Sequence, residues 1–345
     1  MRLVSSPDIT SAASRLTGRI VRTPLVESPR LGDSLGLRVL LKAENLQHTG
    51  SFKVRGVLNA LLARRSRGEL PPGVATFSAG NHAAATAFAG RALGLPVVVC
   101  MPPRAVVTKV EAVRRYGGEI IFTEDLLGTC QSVAQERGYA ILHPFDDPDV
   151  IAGQATVGAE LIHQADELIH QAAEVTPPAD ESSPAEPAVP VVPVVPVDVV
   201  LVPVGGGGLI SGVAAAVRAA SPSTRVVGVE PVTANAMTYA LRLGAPAPLP
   251  QRPVSLADGL AAPFAGVHTL AHVRELVDEV VEVPEEAIRP AWWELLDSGK
   301  LLVEPSAAVG LAALRHGLVQ TRPGETVALV LSGGNVAPAS LAGLG

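Results

Sequence analysis

The chain has 345 residues, of which 48% are hydrophobic, and this is enough apolar material for two folded domains or one large domain. Only 3% of the residues are aromatic and the net charge is -6, so we expect neither the stacking platform nor the basic surface of a nucleic-acid-binding protein. Cys100 and Cys130 are the only cysteines, which argues against a disulfide scaffold or a Cys-x-x-Cys metal site and favours a reducing, cytoplasmic compartment.

Two stretches bear on export and membrane insertion. Residues 1–14 lack a basic segment followed by an apolar one, so we predict no secretory signal. Residues 199–217 are nearly uncharged, but they contain Pro203 and four consecutive glycines. This composition predicts a buried strand, a loop and a helix, and we expect no membrane partner.

Apolar runs of strand length alternate with alanine-rich stretches of helical length, a pattern typical of parallel strands joined by crossover helices. The predicted strands are residues 39–42, 74–78, 97–101, 119–122, 199–204, 226–230 and 326–331. The predicted helices are residues 53–65, 81–93, 108–116 and 209–220. We therefore predict an α/β protein with two such arrays.

A proline-rich stretch separates the two arrays. Residues 177–196 contain seven prolines, and from Pro190 to Pro196 every third residue is proline, which favours polyproline II. We predict an exposed insertion at about residues 172–197 that acts as a linker, with a docking motif for a partner as the alternative.

A lysine opens the helix that follows the first strand, in Thr49-Gly50-Ser51-Phe52-Lys53-Val54-Arg55-Gly56. An amine held on a rigid element and partly desolvated is more often neutral, and a neutral amine attacks aldehydes. The usual aldehyde in amino-acid chemistry is pyridoxal phosphate. Lys53 is therefore a candidate covalent catalyst, with a solvated surface charge as the alternative.

The asparagine loop, Ser78-Ala79-Gly80-Asn81-His82, lies between a predicted strand and a predicted helix. Backbone amides at such a helix start bind carboxylate or phosphate. Asn81 could donate to a phenolic oxygen of a ligand, or it could only cap the helix. We give His82 no acid–base role, because a lone histidine beside alanines is more often a packed residue.

The tetraglycine loop, Gly205-Gly206-Gly207-Gly208, also joins a strand to a helix and predicts a phosphate cradle. Ile210 and Ser211 stand where a dinucleotide fingerprint needs its third glycine, and no P-loop lysine follows. Glu230 nevertheless ends the next strand at the distance of a ribose-binding acid, which leaves a nicotinamide dehydrogenase open.

The serine loop, Ser332-Gly333-Gly334-Asn335, follows the last predicted strand. Its composition is common in turns, but the Ser332 hydroxyl could also meet a heteroaromatic nitrogen.

Together these four motifs occur in the order found in fold-type II pyridoxal-phosphate enzymes, and the chain resembles the serine/threonine dehydratases (threonine ammonia-lyases). The resemblance extends from about residue 23 to residue 338. It includes Lys42-Ala43-Glu44-Asn45-Leu46-Gln47, His143-Pro144-Phe145-Asp146-Asp147-Pro148, Ile151-Ala152-Gly153-Gln154, Ala257-Asp258-Gly259 and Glu304-Pro305-Ser306.

The resemblance implies a tryptophan-synthase-β-like fold with a small domain at residues 47–149 and a large cofactor-binding domain at residues 1–46 plus 150–345. It also implies a homodimer. The implied activity is an α,β-elimination that converts L-threonine or L-serine to 2-oxobutanoate or pyruvate and ammonia.

The resemblance also assigns roles to residues. Lys53 would bind pyridoxal 5'-phosphate as a Schiff base and move the Cα proton, and Phe52 would pack against the pyridine ring. Asn81 would bond the phenolic oxygen, the tetraglycine loop would hold the phosphate, and Ser332 would face the pyridine nitrogen. The asparagine loop would take the substrate carboxylate.

Three departures narrow the reaction. Val54 follows Lys53 where cysteine-synthesising relatives and threonine synthases have aspartate. Ala79 stands where similar serine racemases have an acid–base serine, and a methyl group exchanges no proton. Ala236 replaces the second carboxylate that metal-binding relatives carry six residues after Glu230, so we expect no metal site. Serine racemase and 3-hydroxyaspartate dehydratase remain alternatives.

Overall fold

The computed structural model describes residues 1–78, 80–105, 107–174 and 196–341. Ala79 and residues 175–195, which make up most of the predicted proline-rich insertion, lie outside the described residues. The first three residues of the predicted insertion, 172–174, still belong to a long helix.

In chain order, the strands are β1 (Leu25–Glu27), β2 (Arg38–Ala43), β3 (Val74–Phe77), β4 (Val97–Met101), β5 (Glu119–Phe122), β6 (Ala140–Ile141), β7 (Val199–Pro203), β8 (Arg225–Pro231), β9 (Glu279–Val283) and β10 (Thr326–Leu331). The helices are α1 (Ser6–Leu16), α2 (Pro29–Leu35), α3 (Lys53–Ser66), α4 (Asn81–Leu93), α5 (Val107–Arg115), α6 (Leu126–Arg137), α7 (Pro148–Glu174), α8 (Gly208–Ala220), α9 (Ala236–Leu243), α10 (Val267–Leu276), α11 (Glu285–Asp297), α12 (Val309–Arg315) and α13 (Pro338–Leu341).

The strands form two sheets. The larger sheet has the order β1-β2-β10-β7-β8-β9, and the smaller sheet has the order β5-β4-β3-β6. All neighbours pair in parallel except β1, which pairs antiparallel with β2 at one edge of the larger sheet. The prediction of an α/β fold with two parallel-type sheets flanked by helices is confirmed.

Both faces of the larger sheet are buried. In β7, Val199 and Leu201 pack into one apolar cluster, which includes residues of α11 and α12. Val200 and Val202 point the other way, into a cluster with residues of α7 and α8. This burial on both faces explains the uninterrupted apolar run of β7, because parallel strands covered by helices on both sides need no polar face.

The pairing of the strands brings the sequence motifs together. The strands β2, β10 and β7 are neighbours and run parallel, so their carboxyl ends meet at one edge of the larger sheet. The serine loop follows β10 and the tetraglycine loop follows β7, while the lysine segment follows β2 after two short 3-10 helices. The asparagine loop follows β3 of the smaller sheet. No helix among the described residues is both long and apolar enough to span a membrane.

Candidate active site

Lys53 is the first residue of α3 and follows a tight turn. Thr49 and Gly50 both have left-handed backbone conformations, with φ of 62° and 70°. A side chain at Gly50 would collide with the amide group of Asn335, so this turn needs glycine. The turn fixes the point at which α3 begins and therefore the position of Lys53.

The amine of Lys53 lies against a backbone carbonyl and an aromatic ring. Its Nζ atom donates to the carbonyl oxygen of Pro144 at 2.9 Å and lies 5.1 Å from the centre of the Phe52 ring. Burial lowers the pKa of Lys53 to about 8, although the nearby carboxyl of Glu304 acts in the opposite direction. A substantial fraction of this amine is therefore neutral at mildly alkaline pH, as a nucleophile requires.

The serine loop lies directly beside the lysine segment. The backbone N–H of Phe52 donates to the carbonyl oxygen of Ser332 at 3.1 Å, and Ser51 forms an antiparallel bridge with Gly333. Both Phe52 and Ser332 are buried. The structure thus brings Ser332 beside the adjacent residues Phe52 and Lys53, which lie almost 280 positions earlier in the sequence and were predicted to belong to the same site.

The tetraglycine loop has no room for side chains. An ideal Cβ on Gly205 would lie 3.1 Å from Leu260, and one on Gly208 would lie 2.9 Å from Phe145. Gly207 has φ of 94°, and its Cβ would lie 2.8 Å from Thr269.

The four amides of this loop have no hydrogen-bond acceptor among the described residues. They lie at the N-terminus of α8, where the helix dipole favours an anion. The predicted cradle therefore has the shape and the donors that a phosphate needs.

Asn81 connects the two sheets. It is the first residue of α4, and Gly80 occupies the N-cap position, so the alternative that Asn81 only caps the helix is disfavoured. Its Nδ2 atom donates to Oε1 of Glu304 at 2.7 Å, and its Oδ1 atom accepts from Nδ2 of Asn335 at 2.9 Å. Asn335 also donates to the carbonyl oxygen of Thr49 at 2.7 Å. One side-chain network thus joins the asparagine loop, the serine loop and the turn before Lys53.

Glu304 is a site residue to which the sequence analysis assigned no role. Its carboxyl group is buried, and burial raises its pKa to about 7, with a further contribution from Asp258. The available signal was a carboxylate inside a run of otherwise small and apolar residues, 303–308. Such a residue needs a buried partner, and the partner proves to be Asn81.

The rest of the asparagine loop is consistent with binding rather than acid–base chemistry. The hydroxyl of Ser78 accepts from the N–H of Gly80 at 3.1 Å. His82 is buried, and its Nε2 atom lies 3.2 Å from the carbonyl oxygen of Leu142. Burial, with a smaller effect from Lys53, lowers the pKa of His82 to about 3, so its ring stays neutral. Ala79 lies outside the described residues.

Residues 143–147 form the segment that covers Lys53. Pro144 accepts from the Lys53 amine, and the ring of Phe145 lies against Gly206. The carboxylate of Asp146 accepts from the N–H groups of Val267 and His268 at 3.0 and 2.8 Å and so anchors the segment at the start of α10.

Glu230, the candidate ribose-binding or metal-binding acid, is used differently. Its carboxylate accepts from the N–H groups of Met237 and Thr238 at 2.8 and 2.9 Å, at the start of α9. Both oxygens are therefore engaged with protein, which weakens the dehydrogenase alternative. The part of the chain that the structure describes contains no cluster of three or more metal-ligating side chains. The absence of a metal stays a prediction.

Residues 16–333 match the family model of the pyridoxal-phosphate dependent enzymes. The chain belongs to this family. The resemblance proposed from the motifs is thereby confirmed, and the cofactor is pyridoxal 5'-phosphate.

Similar proteins carry several related activities. The chain is 40% identical to an L-threonine ammonia-lyase of Geobacter sulfurreducens, over 95% of this chain and 75% of that protein. It is 36% identical to an L-threo-3-hydroxyaspartate ammonia-lyase of Pseudomonas sp, over 97% of each chain.

Among solved structures, the threonine deaminase of T.th. matches with a TM-score of 0.82 and 40% identity, over 96% of this chain and 99% of that one. Maize serine racemase matches with a TM-score of 0.85 and 33% identity, over 99% of this chain and 97% of that one. These neighbours confirm the fold-type II architecture.

The residues present fit the cofactor. Lys53 offers an amine of lowered pKa, and the tetraglycine loop offers amides without an acceptor in the described part of the chain, in a cradle that any Cβ would fill. The Oγ atom of Ser51 is buried without a partner among the described residues, as expected beside a site that receives a polar ligand.

Proposed function

We propose that this protein is a pyridoxal-phosphate-dependent ammonia-lyase that converts L-threonine to 2-oxobutanoate and ammonia, and L-serine to pyruvate and ammonia. The observation that carries the proposal is the position of the Lys53 amine, beside the Phe52 ring and within hydrogen-bonding distance of Pro144. The segment of residues 143–147, which contains Pro144, reaches the tetraglycine loop on one side, and the serine loop bonds Phe52 on the other.

Lys53 has two roles in this proposal. It holds the cofactor covalently through Nζ, and its neutral amine later takes the proton from Cα of the substrate. The cofactor, when bound, supplies the electron sink that makes this Cα–H bond acidic. The lowered pKa of Lys53 supports the second role, because a base must be unprotonated at the operating pH.

The other site residues bind and orient. The amides of the tetraglycine loop would take the phosphate, and the Phe52 ring would pack against the pyridine. The Nδ2 atom of Asn81 carries two hydrogens. One is donated to Glu304, and the other can be donated to a phenolic oxygen. The asparagine loop, residues 78–82, takes the substrate carboxylate.

Ser332 favours elimination over transamination. It would offer the pyridine nitrogen a neutral hydroxyl instead of a carboxylate. A neutral partner does not enforce protonation of this nitrogen, so negative charge is withdrawn less strongly from Cα and a β-leaving group departs more readily.

The larger organisation follows the same proposal. A small domain of residues 47–149 would close over a large domain of residues 1–46 plus 150–345 and exclude water from the site. The inclusion of the whole smaller sheet within residues 47–149 supports these bounds. We also propose a homodimer in the cytoplasm, and the two buried free cysteines fit a reducing compartment.

Two other activities occur on this scaffold, serine racemisation and 3-hydroxyaspartate deamination. Ala79 argues against racemisation, since a methyl group offers no second acid–base group. The 40% identity to a threonine ammonia-lyase and to a threonine deaminase structure supports threonine as the substrate.

The experiment is a product assay on purified protein with added pyridoxal phosphate. We expect 2-oxobutanoate from L-threonine and pyruvate from L-serine, with D-serine below a few per cent of product on chiral chromatography. The Lys53→Ala variant should lose activity by roughly three orders of magnitude or more. A Lys300→Gln variant is the control, because the Lys300 side chain is 68% exposed. D-serine as the main product, or oxaloacetate from 3-hydroxyaspartate as the only 2-oxo acid formed, would contradict the proposal.

A further inference from the structure

Four aromatic side chains form a continuous wall beside the site. The His143 ring lies 4.6 Å from Phe145 and 5.5 Å from Phe77 between ring centres, and Phe145 lies 5.7 Å from Phe264. These edge-to-face contacts hold the rings in fixed orientations. We refer to Phe77, His143, Phe145 and Phe264 as the aromatic wall.

The wall begins between the reactive amine and the phosphate cradle. Pro144, which accepts from the Lys53 amine at 2.9 Å, directly precedes Phe145. The ring of Phe145 lies against Gly206, and its Cβ lies 2.9 Å from the position of a Cβ on Gly208. Phe145 thus lies between Pro144, which accepts from the amine, and the tetraglycine loop.

The wall carries no charge. Nδ1 of His143 accepts from the N–H of Asp146 at 2.9 Å and is therefore unprotonated. Burial also lowers the pKa of His143, which favours the neutral ring. Lys109, which lies 3.8 Å from the position of a Cβ on Gly80, is already paired with Asp258.

The next step rests on the proposed function. In an elimination of the β-hydroxyl, Cα lies at the Lys53 amine, and the substrate carboxylate lies at the asparagine loop. If the cofactor phosphate assists the departing hydroxyl, Cβ is directed toward the tetraglycine loop. The remaining substituent on Cβ, which is a methyl group in threonine and a carboxylate in 3-hydroxyaspartate, would then face the surface between the amine and that loop, to which Phe145 belongs.

We propose that Phe145, supported by Phe264, is a specificity-determining residue that packs against the β-methyl group of threonine and disfavours a β-carboxylate. A well-packed apolar pocket distinguishes one methyl group by roughly 10- to 200-fold. A carboxylate against this wall would lose hydration without gaining an unpaired cation. The expected order of preference is threonine, then serine, then 3-hydroxyaspartate.

The test separates binding from turnover. L-2-aminobutanoate, L-alanine and L-aspartate are threonine, serine and 3-hydroxyaspartate without the leaving hydroxyl, so they bind but lose no water. Their dissociation constants are measured on the holoenzyme from the change in the cofactor absorption spectrum. We expect 2-aminobutanoate to bind about 10-fold more tightly than alanine, and aspartate to bind more weakly than both.

Two substitutions at the same position give a matched pair. The measured quantity is the dissociation constant of alanine divided by that of 2-aminobutanoate. Phe145→Leu keeps an apolar side chain and should keep most of this ratio, whereas Phe145→Asn should reduce the ratio to about 2 or less. Phe264→Ala should lower the ratio in the same direction. If Phe145→Asn does not retain cofactor, the comparison of wild type with Phe264→Ala decides, and an unchanged ratio there overturns the inference.

The outcomes also separate this inference from the proposed function. Wild-type protein that forms 2-oxobutanoate but binds alanine or aspartate as tightly as 2-aminobutanoate would overturn the inference alone. Wild-type protein that binds the analogues in the expected order but releases no 2-oxo acid from threonine would overturn the proposed function alone.

Discussion

The Nζ atom of Lys53 donates a hydrogen bond to the carbonyl oxygen of Pro144 at 2.9 Å. These residues are 91 positions apart, and the contact fixes the segment that also brings Phe145 to the tetraglycine loop and Asp146 to the start of α10. A single covering segment therefore orients the amine, shapes the phosphate cradle and lines the space between them. The predictions below test the parts of this arrangement separately.

Cofactor attachment should depend on the protonation of Lys53. Burial lowers the pKa of Lys53 from 10.5 to about 8, so the neutral amine becomes more abundant as pH rises through that value. We expect the rate at which cofactor-free protein binds pyridoxal phosphate to rise about 10-fold per pH unit below pH 8 and to level off above it. The rate is followed by the appearance of the visible cofactor band.

Free Nα-acetyl-lysine over the same pH range is the control for this measurement, because it carries an ordinary amine. A protein profile that keeps rising to pH 10, in parallel with the free amine, would show that Lys53 is not desolvated in solution.

The tetraglycine loop should not tolerate a side chain. Gly207→Ala places a Cβ against Thr269 at a φ of 94°, so the loop must shift and its amides lose their alignment. We expect the affinity for pyridoxal phosphate to fall by at least about 10-fold. Gly244→Ala is the matched control, since Gly244 has φ of 74° and open space around it. Equal cofactor affinity in the two variants would contradict the cradle.

The helix that carries Lys53 is held by a buried charge cluster. Arg55 is fully buried and bonds the carboxylate of Glu44 at 2.8 Å and that of Glu160 at 2.7 Å, and Glu160 also bonds Lys42. Arg55→Met leaves two acidic groups with one cation in an apolar environment. We expect it to lower the free energy of unfolding by about 3 to 5 kcal/mol, measured by urea denaturation.

Arg67→Met is the comparison, because Arg67 makes exposed ion pairs with Glu69 and Asp149. This variant should change the free energy of unfolding by no more than about 1 kcal/mol. If the two variants lose similar amounts of unfolding free energy, the buried cluster stabilises the fold no more than a surface ion pair does, and the prediction is wrong.

Glu304 should make the protein less stable at neutral than at acidic pH. Its folded-state pKa is raised from 4.5 to about 7, so the folded protein binds the carboxyl proton more tightly than the unfolded chain does. This contribution is present below pH 4.5 and is lost progressively as pH rises toward 7.

Glu304→Gln removes the titrating group but keeps an oxygen that can accept from Asn81. Relative to wild type, we expect the variant to gain stability between pH 5 and pH 8, measured by thermal or urea unfolding at both pH values. A stability difference that does not change with pH would contradict a raised pKa at Glu304.

Much of the fold was predictable from local patterns. The strands β4, β5 and β10 and the helix α4 begin and end at the predicted residues. These strands are short and mostly apolar. The helix α4 begins at Asn81, directly after Gly80, and ends before Gly94, which has the left-handed conformation typical of a helix end. The signals that predicted these elements act within a few residues of the chain.

Other elements had no such signal. The strand β9 has the sequence Glu-Val-Val-Glu-Val, which alternates only in part, and most of its residues are half-buried. The strand β6 has only two residues and depends on its pairing with β3. The strand β1 lies at the antiparallel edge of its sheet. Each of these strands is specified by its neighbour in the sheet rather than by its own composition.

The site was predictable as a set of loops but not as a network. Parallel pairing explains why the serine loop, tetraglycine loop and lysine segment meet. The bond between Asn81 and Glu304 joins residues 223 positions apart, and that between Lys53 and Pro144 joins residues 91 positions apart, so neither contact is visible in local sequence. For this reason Glu304 and Pro144 received no role before the structure was known.

The most direct test of the account is to reduce the holoenzyme with borohydride, digest it, and identify the modified lysine by peptide mass spectrometry. The chain has four lysines, at positions 42, 53, 109 and 300, so the result is unambiguous. The account predicts a stable phosphopyridoxyl group on the peptide that contains Lys53 and on no other. Modification of Lys42, Lys109 or Lys300 in its place, with Lys53 unmodified, would contradict the assignment of Lys53 and the mechanism built on it.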